Sequence, residues 1–312
     1  MKAIVYNKKA SPKLVYSDVE KPIPSDNEIL IRVIAASANA ADYRSMQLGI
    51  IPTKKIFGAD LAGIVESVGK NIQTLKPGDE VIGDLASHGF GTFAEYAIAP
   101  EEALVLKPSS ISFEEAAALP LAAVTALQGL RNKGNIQKGH KVLIAGSGGG
   151  VGTYAVQLAR HFGADVTAVC SAKNKEQSLS LGASHVIDYA LEDFTKSSER
   201  YHLIFAVNGN RSLLAYKRML KPGGRYVMAG GALSQVFRSL IFGKLLSFGT
   251  KKMLSLAAKP DQNDLKYISE LAEKGFIKAV IERKYPLEKT AEAMKYLTEG
   301  HSKAKVVINV AY

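Results

Sequence analysis

The sequence predicts an α/β protein built as two domains, the second a doubly wound parallel sheet inserted into the first. Three observations carry this. The 312 residues are too many for one compact core and suit two. Residues 1 to about 120 are strand-like: short apolar or alternating runs bounded by turn residues such as "KPGD" (76–79). From about residue 140, short apolar runs alternate with helical patterns, the signature of a parallel sheet.

The elements can be justified in order. "MKAIVYNKKASPKLVY" reads as strand, turn, strand; "EILIRVIAAS" (28–37), "LAGIVESVG" (61–69), "DEVIG" (79–83) and "GTFAEYAIAP" (91–100) read as further strands. Near "SFEEAAALPLAAVTALQGL" (112–130) the period becomes helical, and Ser112 with Glu115 spells a capping box. "HKVLIAG" (140–146) is a short buried strand. "VGTYAVQLARHFG" (151–163) puts Val151, Ala155, Leu158, Ala159 and Phe162 on one helical face, with Gly163 as the stop. "ADVTAVC", "SHVIDY", "YHLIFAVNG", "GGRYVMAGG" and "KKMLSLAA" continue the strands, with "NKEQSLSLGA" (174–183) a helix between the first two. Residues 264–310 read helix, strand, helix, strand, long enough to return to the first domain. The domains are thus expected at 1–122, 123–259 and 260–312, the last completing the first.

The stretch "IAGSGGGVG" (144–152) follows a strand and opens a helix. Its glycines are spaced GxxGxxG: Gly146, Gly149 and Gly152, with Gly150 and Val151 between the last two. In that setting one glycine makes the tight turn, one lets backbone approach a pyrophosphate, and one permits close helix packing. The helix start adds free N–H groups and a positive dipole end. A dinucleotide is the expected ligand. The second strand then ends in Cys170, Ser171, Ala172, Lys173, Asn174, Lys175, with no acid before Glu176. An acid there holds the ribose diol of NAD, whereas a serine and two lysines suit a 2′-phosphate, so NADPH is the expected cofactor.

Composition excludes several classes. No stretch approaches the roughly 20 apolar residues of a membrane helix, and the start has no apolar h-region. The single cysteine, Cys170, rules out an internal disulfide and a four-cysteine zinc site, and fits the cytoplasm. The formal net charge is +11, and the stretch from Arg200 to Pro260 has no Asp or Glu among its eleven cations. Such a region suits a phosphorylated ligand, a nucleic acid, an anionic membrane or no partner at all. It has no RNP-like motif or aromatic platform, so only weak nucleic-acid binding is expected. The apolar, basic run 235–253 suggests an interfacial helix or, as preferred here, a substrate-cleft or dimer-contact helix.

"SANAADYR" (37–44), "GADLAGIVESVG" (58–69), "GTFAEYA" (91–97), "LPLAAVTALQGL" (119–130), "GSGGGVGTYAVQLAR" (146–160), "LGASHVIDY" (181–189) and "LKPGGRYV" (220–227) together resemble the medium-chain dehydrogenase/reductase superfamily, in its zinc-free quinone oxidoreductase (zeta-crystallin-like) branch. The resemblance spans Met1 to Val310. It implies a GroES-like β-barrel catalytic domain interrupted by a Rossmann domain, an active site between them, and a homodimer. Zinc-dependent relatives carry GHE where this chain has Gly58, Ala59 and Asp60. No cysteine stands in "SANAAD" or "LPLAAVTA", and the histidines form no HxxxH or HExxH pair, so no metal is expected.

By resemblance, Asn39 and Asp42 match an NxxD element beside nicotinamide and substrate, and Tyr43 after it is a candidate donor to a carbonyl. Thr125 matches a threonine near the nicotinamide. Ser171, Lys173 and Tyr189 match the 2′-phosphate site, and Val207, Asn208, Ala229 and Gly230 follow the strands whose carboxyl ends hold the cofactor. Ala206 stands where many relatives have an acid. The implied activity is NADPH-dependent reduction of quinones or enones. The alternatives are an alcohol dehydrogenase, a thioester enoyl reductase and, since zeta-crystallin relatives bind RNA, an NADPH-binding nucleic-acid-associated protein.

Overall fold

The computed structural model describes residues 1–231, 241, 243, 245–247, 249–300 and 302–310. The chain divides into two compact units, Met1–Val124 with Lys259–Tyr312, and Thr125–Ala258. Much of the basic, apolar run 235–253, including Arg238 and Lys244, lies outside the described residues.

In the first unit β1 (Lys2–Tyr6) pairs antiparallel with β2 (Leu14–Asp18). The long β3 (Glu28–Ala38) then enters α1 (Ala40–Gln47), followed by β4 (Asp60–Val68), β5 (Glu80–Asp84), β6 (Tyr96–Pro100) and β7 (Leu104–Leu106). The strand expected over 91–100 is only half formed. Phe90 at φ 60° and Gly91 at φ 116° break the extended chain, so Ala94 makes only an isolated bridge to Ala3 and continuous pairing begins at Tyr96. The helical stretch after Ser112 is also broken, into α2 (Phe113–Ala117) and α3 (Pro120–Leu127), since Pro120 can only start a helix. The capping box forms: Ser112 Oγ accepts from Glu115 N, and Glu115 Oε2 accepts from Ser112 N.

The division between units falls inside α3, which continues as a π-helical turn over Gln128–Lys133. Gly129 is obligatory there, because a Cβ would lie 2.2 Å from the Phe205 ring. The second unit carries β8 (Lys141–Ala145), α4 (Gly150–His161), β9 (Asp165–Cys170), α5 (Lys175–Ser180), β10 (His185–Asp188), β11 (Tyr201–Ala206), α6 (Leu213–Met219), β12 (Leu220–Met228) and β13 (Lys252–Ser255). All six strands are parallel, in the order β10-β9-β8-β11-β12-β13. A single apolar face was expected on α4, yet Gly152 through Ala159 are all buried. The helix is enclosed, and its polar Thr153 and Gln157 survive by bonding to backbone carbonyls of their own helix.

The chain returns to the first unit as α7 (Gln262–Glu273), β14 (Ile281–Pro286), α8 (Thr290–Thr298) and β15 (Lys305–Asn309). β15 pairs antiparallel with β3 and parallel with β14, giving the seven-stranded sheet β14-β15-β3-β4-β5-β7 with β6 also on β3. Its core is Ile29, Ile31, Val33, Leu61, Phe57 and Phe93, all fully or nearly fully buried. Pairing of Val306 with Ala38 brings Lys305 to the end of β3, where the chain turns into α1. Pairing of Asp60 with both Ser37 and Asp84 adds the starts and ends of β4 and β5 to the same corner.

Candidate active site

The strand order of the second unit reverses between β8 and β11, and ligands of such sheets bind outside the carboxyl ends at that point. The glycine loop sits there. Gly146 has φ +90°, a left-handed conformation that only glycine adopts freely. A Cβ on Gly152 would lie 2.0 Å from Gly146 O, so that glycine lets α4 start tight against the loop. Gly149 differs: a Cβ there would meet only Gly146 O, at 3.9 Å, and faces otherwise open space. The first N–H groups of α4, at Gly150, Val151 and Gly152, belong to the turn that has no intrahelical partner. An open glycine face beside a helix start is what a pyrophosphate needs, so the residues present fit a dinucleotide.

The flanking residues converge on the same edge. Val207 and Asn208 both donate their N–H to Ala145 O, which holds the end of β11 against the loop. Ala229 N bonds to Ala206 O, and Gly230 lies so close to Val207 O that a Cβ would stand 2.5 Å from it. Ser171 and the exposed Lys173 occupy the 3-10 turn after β9. Tyr189, 46% exposed, follows β10 and is tied to that turn through Tyr189 N to Cys170 O at 3.1 Å. Thr125 is buried on α3. The basic stretch, in contrast, mostly serves the other end of the sheet. Arg200, Lys221, Lys251 and Lys252 lie before or at the starts of β11, β12 and β13, Arg225 pairs with Lys252 at the start of β13, and Lys217, whose carbonyl accepts from Lys251 Nζ, joins them. Burial first, then Arg200 and Lys217, push the Lys251 ammonium below its ordinary value. Arg211, which follows β11, sits instead near the carboxyl edge, 3.7 Å from Asp193.

In the first unit a buried polar corner gathers Ser37, Asn39, Asp42, Asp60, Asp84 and Lys305, none more than 7% exposed. Asp60 Oδ2 accepts from Ser37 Oγ at 2.7 Å, Asn39 Nδ2 at 2.8 Å and Lys305 Nζ at 3.3 Å, while its Oδ1 accepts from Leu121 N at 2.9 Å. Asn39 Nδ2 also donates to Ser37 O at 3.2 Å, and Asn39 Oδ1 accepts from Lys305 Nζ at 2.6 Å. The side chain of Asn39 is therefore fully engaged within the protein and has no spare N–H for a ligand. Asp42 Oδ2 accepts from Asn39 N at 2.8 Å and its Oδ1 from Gly58 N at 3.2 Å. Burial, then the neighbouring Asp60, pushes the Asp42 carboxyl up to about 7, against the pull of its N–H donors and Lys305. Asp84 is raised for the same two reasons. Tyr43 is half-buried and packs on the core of this unit.

Lys305 and Asp84 were not singled out by the sequence. The one available signal was Asp60 itself: an acid inside the apolar run "FGADLAGIV" needs a buried cation, but nothing local says which of forty. Among the described residues, no three His, Cys, Asp or Glu side chains gather as a metal site, and no helix is long and apolar enough to cross a membrane.

Residues 25–109 match the alcohol dehydrogenase GroES-like domain family and residues 181–308 the zinc-binding dehydrogenase family. The chloroplast envelope quinone oxidoreductase homolog of Arabidopsis thaliana is 31% identical over 99% of this chain and 98% of its own length. The chloroplastic NADPH-dependent alkenal/one oxidoreductase of the same plant is 31% identical, over 99% of this chain and 79% of its own. Among solved structures, the quinone oxidoreductase from Coxiella burnetii superposes with a TM-score of 0.89 at 28% identity, covering 100% of this chain and 99% of the other. With its glycine loop at the switch point of a nicotinamide-binding sheet, the chain belongs to the medium-chain dehydrogenase/reductase superfamily, in the quinone oxidoreductase branch.

Proposed function

We propose that this oxidoreductase uses NADPH to reduce quinones or α,β-unsaturated carbonyl compounds, without zinc. The observation that carries the reading is the pair of turns at the carboxyl edge of the second unit. One is the open glycine loop at the start of α4; the other offers Ser171 and Lys173 and no carboxylate. The substrate class follows from the relatives, named as quinone and alkenal/one oxidoreductases. Zinc independence rests on Ala59, which stands at the ligand position, and on Asp60, whose carboxylate is taken up by Ser37, Asn39, Leu121 N and Lys305.

Bound NADPH supplies a hydride to the electrophilic carbon of the acceptor. Gly149, Gly150, Val151 and Gly152 would hold the pyrophosphate through backbone N–H groups, and Gly146 gives the loop its turn. Ser171, Lys173 and Tyr189 would hold the 2′-phosphate, and Val207, Asn208, Ala229, Gly230 and Thr125 would hold the nicotinamide half. Their work is positioning, a large part of the rate where reactant and cofactor must meet in one geometry. With the Asn39 amide engaged, the oxyanion that develops falls to Tyr43 or to backbone N–H groups. Asp42, fully buried, holds Asn39 N and Gly58 N in place and exchanges no proton with substrate. An acceptor whose reduced anion is already stable, a hydroquinone or an enolate, suits such a site, since solvent can supply the proton.

Steady-state oxidation of NADPH and NADH with a panel of quinones, enones, simple ketones and enoyl thioesters tests the proposal. Turnover of quinones or enones, with NADPH preferred, is expected. Turnover of ketones or enoyl thioesters alone would overturn it.

A further inference from the structure

Asn39 lies between two groups of opposite hydrogen-bonding capacity. On one side the Lys305 ammonium is donor-only; on the other the Asp60 carboxylate is acceptor-only. Only one orientation of the carboxamide satisfies both, with Oδ1 toward Lys305 and Nδ2 toward Asp60. The flipped amide would set N–H against ammonium and carbonyl against carboxylate. No solvent can relieve that mismatch, because Lys305 is 2% exposed, Asp60 0% and Asn39 7%. Asn39 is also the residue that caps α1, and its own N–H is held by Asp42 three residues on. The orientation of one side chain thus connects to the entry of the helix that carries Asp42 and Tyr43. The cation that sets it comes from the last strand, 266 residues away in sequence.

We propose that Lys305 is a positioning residue for this site: its ammonium, paired with Asp60, fixes the Asn39 carboxamide and with it the geometry of the Asn39–Asp42 corner from which α1 carries Tyr43. The proposal rests on the reductase reading for its kinetic consequence and on the hydrogen-bond geometry alone for its structural one. It treats the Lys305–Asp60 pair as more than a filled interior. A buried pair that only fills space is replaceable by a matched neutral pair with little loss. A pair that selects an amide orientation is not, even when the fold survives.

The test compares Lys305→Met, Asp60→Asn and the double variant. Lys305→Met leaves Asp60 buried and unpaired, so its urea midpoint is expected to fall well below wild type. The double variant removes both charges and is expected to recover most of that midpoint. It nevertheless offers Asn39 no cation, and its kcat with NADPH and an enone is expected to drop by about tenfold to a hundredfold, while KM for NADPH stays within about threefold. Independently of turnover, the Asn39 carboxamide N–H pair, assigned by its loss in Asn39→Ala, is expected to exchange slowly with deuterium in wild type. In the double variant it is expected to exchange at least about tenfold faster, as the loss of charge-assisted bonds requires. A double variant that regains the midpoint and keeps both wild-type kcat and wild-type amide exchange would overturn the proposal, and so would an unaffected Lys305→Met. If wild type reduces no acceptor in the panel, the reductase reading falls, and amide exchange alone decides for or against Lys305.

Discussion

A Cβ placed on Gly152 would stand 2.0 Å from the carbonyl oxygen of Gly146, whereas one on Gly149 would meet nothing nearer than 3.9 Å. The two glycines of one loop therefore serve different ends. Gly152 is required by the protein, and Gly149, extended at φ −86° and ψ 177°, is required only by what binds there. Gly152→Ala is expected to cost about 1–3 kcal/mol of stability through overpacking against backbone. Gly149→Ala is expected to leave stability within about 1 kcal/mol yet weaken NADPH binding by about tenfold or more. Denaturant unfolding and fluorescence titration of the two variants check this; equal stability losses would contradict it.

Cofactor choice depends on the turn after β9. Lys173 is exposed there and Ser171 half-buried, beside Tyr189. A charge-assisted hydrogen bond contributes roughly 1.5–3 kcal/mol, and exposure favours the lower end. Lys173→Ala should weaken NADPH binding by roughly tenfold and leave NADH nearly unchanged, with Lys175 compensating in part. Ser171→Asp should do more, since it removes a donor and adds repulsion. Steady-state kinetics with both nucleotides checks it; a loss shared equally by NADPH and NADH would contradict it.

Asp42 gives stability an unusual pH slope. Its folded carboxyl is raised to about 7 by burial first and by Asp60 second, against an ordinary 3.8. Between those values the folded state holds a proton that the unfolded chain has lost. Stability therefore falls as pH rises from about 4 to about 7, by up to about 1.4 kcal/mol per unit, and then levels off. Asp84 acts in the same direction. Asp42→Asn should remove about one proton from that slope. Urea unfolding at a series of pH values measures it; an unchanged slope in the variant would mean that Asp42 stays ionised when buried.

With Ala59 at the ligand position and Asp60 bound to Lys305, activity should survive strong chelators, and elemental analysis of the purified protein should find far less than one zinc per chain. One tightly held zinc per chain, lost together with activity, would contradict this.

How far the sequence could be read follows from the range of each interaction. Strands and the α/β alternation were legible because side-chain period is local, and the glycine loop because its chemistry is confined to seven residues, Gly146 to Gly152. The same locality explains the misses. The break between α2 and α3 turns on Pro120, inside a run otherwise uniformly apolar. The burial of α4 on all sides depends on what the sheet and later elements place around it. α1 was not expected, because "NAADYRSMQ" has little apolar periodicity and its cap relies on Asp42 accepting from Asn39 N. The polar corner was half legible: Asn39, Asp42 and Asp60 stood out, but Lys305 reaches them only through the pairing of β15 with β3. The basic stretch looked available to a phosphate until strand direction placed most of its described cations at the opposite edge of the sheet from the glycine loop.

The central claim is hydride transfer from NADPH to the electrophilic carbon of an activated double bond. The direct measurement is mass spectrometry of the product formed from an enone and NADPH deuterated at C4, using the stereoisomer that transfers its label. The account predicts one deuterium on the β-carbon of a saturated ketone. Deuterium on the carbonyl carbon of an unsaturated alcohol, or none in any product, would contradict it.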